Sequence, residues 1–182
     1  MDIGVFQIRP DMTADPRVIA KRAEELGFES YWVPEHPVLP VHFDTAYPGV
    51  APGKSPPDYL WQIPDPFVTL AHVAEATSTL KLGTAVCLVP EHDPFNLAKE
   101  IATLDMFSDG RFLFGIGAGW NREECEIFGG DFDHRWTQVK EAISVIRGLW
   151  TNEAHEHHGK YYDFPAVRCF PKTSISIYCT CG

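Results

Sequence analysis

The chain is 182 residues long, 45% hydrophobic and 22% charged, with a formal net charge of −10. That is the composition of a folded domain with room for a core. It excludes the cationic stripe that nucleic acid requires, since no basic run exceeds a pair such as Lys21-Arg22.

The opening MDIGVFQIRPDM has no cationic stretch ahead of a long apolar one, so it does not read as a signal peptide. No segment reaches the apolar length of a membrane span. Five scattered cysteines, an odd number, fit a reducing cytoplasm better than a disulfide framework.

Residues 2–8, DIGVFQI, read as a first strand. Asp15-Pro16 then opens a helix: the aspartate accepts from amides that the first turn leaves free, and the proline has no amide to leave free. Val18, Ala23 and Leu26 mark its expected apolar face, and Gly27 ends it. A second strand follows at 29–34, ESYWVP. Residues 37–64 form a long connection rich in proline, glycine and aromatics. It leaves the C-terminal end of a strand, where long loops act as lids.

Asp65-Pro66 opens a second helix, striped by Phe67, Leu70, Ala71 and Ala74. A third strand is predicted at 80–89, LKLGTAVCLV. Asp93-Pro94 opens a third helix with Leu97, Ile101 and Leu104, and a fourth strand is predicted at 111–116. The spacing of Val139, Ile143, Ile146 and Trp150 predicts a fourth helix over 135–150, and Ser174 to Thr180 alternates as a fifth strand. Alternating strands and helices imply a parallel sheet with right-handed crossovers, either doubly wound or a (β/α)8 barrel. A whole barrel takes about 250 residues, so this chain would supply about half of one.

Gly115, Gly117 and Gly119 fall at every second position. A dinucleotide fingerprint needs a third glycine where Trp120 or Arg122 stands, so that reading fails. Residues two apart on a strand share a face, so these glycines clear a groove for a flat ligand or allow a close approach of backbone. The spacing alone leaves both readings open.

Five stretches occur in one order: GFESYWVPEH, LKLGTAVCLVPEHDPFNLAKEIATLDMFSDGR, FLFGIGAGWNREECEIFG, the helix with Arg135 and Glu141, and HGKYYDFPAVRCFPK. Together, over about residues 1–172, they resemble the luciferase-like monooxygenase family, in its F420- or flavin-dependent oxidoreductase branch. The resemblance implies an α/β fold: the N-terminal part, about five strands, of a (β/α)8 barrel that this chain leaves incomplete. It implies coenzyme F420 or FMN at the C-terminal strand ends, and hydride transfer or oxygen activation on a small organic substrate. The glycine run would then face a tricyclic ring.

By the same resemblance His36 is the catalytic residue near the reactive ring carbon, with Glu35 available to orient it. The third strand, Thr84 to Leu88, would be bulged under the ring, with Ala85-Val86 as the place for a cis peptide. Phe6, His36, Ala85, Val86, Cys87, Gly117, Gly119 and Trp120 form the expected cofactor-binding set, Cys87 as a small buried hydrophobe. Trp120 stands where some deazaflavin sugar dehydrogenases carry a glutamate, so that acid is missing here. Glu123 and Glu124, close by, are expected to face solvent.

No metal is expected. His155-Glu156-His157-His158 resembles a ligand cluster, but the family places a surface hairpin there. Cys179-Thr180-Cys181 lacks the spacing of a zinc or redox pair. A metal hydrolase built on His36, His92 and His155 would need an H-x-H strand end that is missing. Asp105 and Asp109 read as caps or ion-pair partners.

The pattern breaks near Thr173. The chain continues TSISIYCTCG, without the paired glycines that would bind the cofactor phosphate. Residues 1–182 thus read as one partial barrel domain with a lid-like insertion at 37–64 and a divergent end at 173–182, from a truncated or frame-disrupted gene. The alternative to an enzyme is an inactive half-barrel. Either would leave an open sheet edge and self-associate as a homo-oligomer.

Overall fold

Residues 3–8, 14–50 and 56–179 are described by a computed structural model. Asp2, residues 51–55 of the expected lid and residues 180–182 of the expected end lie outside the described residues. Strand β1 (Gly4–Phe6) pairs with β2 (Ser30–Val33), β2 with β3 (Lys81–Thr84), and β3 with β5 (Phe112–Gly117). The last strand, β8 (Ile177–Cys179), lies on the other side of β5. All these pairs are parallel. Across this parallel sheet the strands follow chain order, with no reversal. A doubly wound sheet reverses at its switch point, so the architecture is the five-stranded part of a (β/α)8 barrel.

The stretch expected as one third strand is broken in two. Leu82 and Gly83 pair with Phe112 and Leu113, whereas Cys87 and Leu88 of β4 (Cys87–Leu88) pair with Ile116 and Gly117. Between these pairs Thr84, Ala85 and Val86 oppose only Phe114 and Gly115. The extra residue makes a β-bulge, and the Ala85–Val86 peptide within it is cis.

The bulge explains the glycines of β5. A Cβ on Gly115 would lie 2.0 Å from the Thr84 carbonyl oxygen, and one on Gly117 would lie 2.4 Å from Val86 Cγ2. The space opened at these two positions is filled by the neighbouring strand, which favours close packing over a groove for a ring. Trp32 plays the same part further down. Its ring lies over Gly83, where a Cβ would come within 2.2 Å of it.

All three Asp-Pro pairs start helices: α1 (Pro16–Glu25), α2 (Pro66–Ala76) and α3 (Pro94–Phe107). Asp15, Asp65 and Asp93 accept from backbone amides of the first turn. Helix α4 (Arg122–Ile127) follows β5, and α5 (Arg135–Thr151) comes next. The stripes of α3 and α5 are buried as expected. Helix α1 differs, because Val18 and Leu26 are 60% and 58% exposed while Ala20 and Ala23 face the sheet. On α2, Val73 takes the buried place expected for Ala71.

Two anchors hold the N-terminal end of the sheet. Glu24 Oε1 accepts from the amides of Ser78, Thr79 and Leu80 at 2.6–2.9 Å. Arg111 donates to the Ser108, Leu80 and Ala74 carbonyls and to Thr77 Oγ1. At the far side β6 (His155–His158) and β7 (Asp163–Val167) form an antiparallel hairpin. Its histidines take separate polar or packing partners: His155 packs on Gly148, His157 lies 3.4 Å from Glu141, and His158 lies 2.5 Å from Asp163.

Candidate active site

Strand β2 ends at Val33, and Pro34-Glu35-His36 carries the chain over the rim. Glu35 is buried, and both its oxygens are committed: Oε2 accepts from the Leu88 amide at 2.6 Å, and Oε1 lies 2.9 Å from His92 Nε2. Glu35 therefore ties the end of β2 to β4 and does not orient His36. Burial opposes a charge on His92, but the Glu35 carboxylate outweighs it and holds His92 above its ordinary range.

The partner of His36 comes from α4. Asn121 caps this short helix, its Oδ1 accepting from the Glu124 amide at 2.8 Å. Glu124, expected at the surface, is only 1% exposed, and its Oε2 lies 2.7 Å from His36 Nδ1. On the opposite edge of the imidazole, Trp120 Nε1 donates to His36 Nε2 at 3.2 Å. An accepting Nε2 requires the proton on Nδ1, so Glu124 receives a hydrogen bond from the ring. Glu123 turns the other way. It accepts from the Asp44 amide and from Thr45 Oγ1, each at 2.7 Å. The 37–64 connection is thereby clasped to α4, and its Phe43 and Tyr47 pack edge-on against Trp120.

These residues border a cavity of about 310 Å³ at the C-terminal ends of the strands. Phe6, His36, Ala85, Val86 and Trp120 of the expected set line it, together with Tyr47, Tyr59 and Leu60 of the connection. Cys87, Gly117 and Gly119 do not line it. Cys87 is fully buried behind the bulge, its thiol pushed well above the ordinary range by burial and by Glu35. Gly117 is covered by Val86, and Gly119 sits near Glu91 with φ at +78°. A second, more polar cavity of about 340 Å³ shares Glu35 and His36 and is bordered by Asp65, Glu91, His92 and Glu100.

Two features here had no clear sequence signal. Glu91 is buried, neither of its oxygens has a hydrogen-bonding partner among the described residues, and Glu124 Oε1 is in the same position. Burial, then the charges of Glu124 and Glu35, push the Glu91 carboxyl up to about 9. Ligating atoms of Glu35, Cys87 and His92 also lie within 4.8 Å of one another. Their hydrogen bonds and the protonated thiol account for that grouping.

No helix among the described residues is long and apolar enough to cross a membrane. The chain is 37% identical over 172 residues to the uncharacterized protein Rv0953c of Mycobacterium tuberculosis, covering 94% of this chain and 61% of that one. It is 30% identical over 170 residues to an F420-dependent glucose-6-phosphate dehydrogenase of Amycolatopsis mediterranei, covering 90% and 46%.

Among solved structures it is similar to the monooxygenase RslO1 of Streptomyces bottropensis, with a TM-score of 0.79, 26% identity, and coverage of 98% and 53%. A Pseudomonas putida Baeyer–Villiger monooxygenase in complex with FMN shares the fold at a TM-score of 0.69 and 24% identity, with coverage of 90% and 43%. The chain thus spans about half of the length of the proteins it matches. The family model for luciferase-like monooxygenases matches residues 10–181, nearly the whole sequence, and the chain belongs to that family.

Proposed function

We propose that this chain carries the His36 side of an oxidoreductase site that uses F420 or FMN on a small, largely apolar organic substrate. The observation that carries the reading is the placement of His36, Ala85 and Val86 on one cavity at the C-terminal strand ends. The walls suit a planar ring system: the floor is made of small side chains, the sides are aromatic, and the volume lies within the usual range of small-molecule sites. The Amycolatopsis relative is named for its use of F420, and the Pseudomonas structure holds FMN.

When bound, such a cofactor supplies the hydride or oxygen chemistry. The chain's own residues do the rest. Ala85 and Val86 form the floor, and Phe6 and Trp120 bound it. The Nε2 lone pair of His36 accepts from Trp120 Nε1 at rest, and when that bond opens the nitrogen can take up or return a proton. The 37–64 connection acts as a lid that keeps water out while Glu123 holds it down.

Titrating F420 and FMN separately into the purified chain, with cofactor fluorescence as the signal, tests this reading. Saturable binding of one of them at micromolar concentration is expected. No change up to millimolar concentration would overturn it and favour an inactive half-barrel.

A further inference from the structure

Glu91 and Glu124 leave a hydrogen-bond account that does not close if both are ionised. Two carboxylates can only accept, which strands both oxygens of Glu91 and one of Glu124 in a buried place. Burying two adjacent negative charges is costly in itself. One proton on Glu91, which lies within side-chain hydrogen-bonding reach of Glu124, settles most of the account: its hydroxyl can donate to Glu124 Oε1 while Glu124 Oε2 still accepts from His36 Nδ1, leaving one Glu91 oxygen unpaired.

We propose that Glu124 is the positioning residue for His36 and that Glu91 supports it by sharing one proton. The resulting chain, Glu91 to Glu124 to His36, fixes the imidazole as its Nδ1–H tautomer with Nε2 toward Trp120. The proposal rests on the reading of His36 as the proton-handling group.

Among the described residues one neighbouring donor is unengaged, Asn121 Nδ2, which hydrogen-bonds neither acid; the other neighbours are taken. Glu35, at the end of β2, is taken by Leu88 and His92. Arg135, the nearest cation of α5, donates to the Gly119 and Phe132 carbonyls. Gln138 Oε1 accepts from the Asp131 amide, and Cys125 on α4 is a buried thiol. Glu100, on α3, lies across the polar cavity beside His92.

Nuclear magnetic resonance on the cofactor-free chain tests this. Long-range nitrogen–proton spectra report the tautomer of His36, and carboxyl-carbon titrations report the two acids. In the wild-type chain His36 is expected as Nδ1–H, and one of the two carboxyls is expected to keep its proton well above the ordinary carboxylate range. Glu124→Gln should mix the tautomers of His36. Glu91→Gln, whose amide still donates to Glu124, should leave the tautomer unchanged and abolish the high titration.

An Nε2–H tautomer in the wild-type chain overturns the proposal without any variant. So do two carboxyls that both titrate in the ordinary acid range, or a Glu124→Gln chain with unaltered His36 signals. Because no cofactor is present, failure of the chain to bind F420 or FMN leaves these outcomes intact.

Discussion

Gly115 shows how little tolerance the centre of the sheet has. Its missing side chain is the space through which the Thr84 carbonyl passes, and Thr84 Oγ1 bonds both the amide and the carbonyl of Gly115. A methyl group there meets backbone, which cannot swing aside. Gly115→Ala is therefore expected to lower stability by about 3 kcal/mol, the upper end for overpacking. Urea unfolding should show it as a lower midpoint at an unchanged slope. The glycine spacing was legible in the sequence, but its purpose was not, since a bulge in the neighbouring strand leaves no mark at Gly115. The acids illustrate the same limit. His36 and Trp120 could be picked out by resemblance, whereas Glu124 looks like any surface glutamate until Asn121 turns its helix inward. Glu91 sits on a short helical turn, and its burial follows from the packing of α4 and α5 against that turn.

Elements were easier to read than their faces. The Asp-Pro pairs marked three helix starts because capping is local chemistry, settled within a turn. The buried face of α1 was read only in part: Ala23 is buried as expected, but Ala20 was missed and Val18 and Leu26 misplaced, because small side chains carry little hydropathy signal. The connection from α1 to the end of α2 depends on a single carboxylate. Burial opposes the charge on Glu24, yet hydrogen bonds from Thr79, Leu80 and Ser78 overcome it and bring the group down to about 2. A carboxyl more acidic when folded than its ordinary 4.5 adds stability above that pH and loses it as pH falls toward 2. Glu24→Gln is expected to cost about 2 kcal/mol at neutral pH, as for hydrogen bonds to a charged group. It should also flatten the acid limb of stability against pH, as followed by thermal melts from pH 6 to 2.

On the scale of the whole molecule, β1 and β8 are the two flanks of the sheet, and each leaves one side of its backbone unpaired among the described residues. Ile3, Phe6 and Tyr178 on these flanks are about half exposed. Unpaired edges with apolar neighbours invite pairing with another copy. Sedimentation velocity should accordingly give a mass that climbs with concentration above the 20.5 kDa of one chain. A constant single-chain mass would sink that expectation.

Helix α4 joins two further parts of the molecule. Glu123 and Glu124 are successive residues, about 100° apart around its axis, with one gripping Asp44 and Thr45 and the other gripping His36. A helix of under two turns rotates as a rigid piece, so the loop cannot peel away from Glu123 without torque on Glu124. Loosening Asp44 and Thr45 from Glu123 is therefore expected to disturb the seat of the imidazole as well.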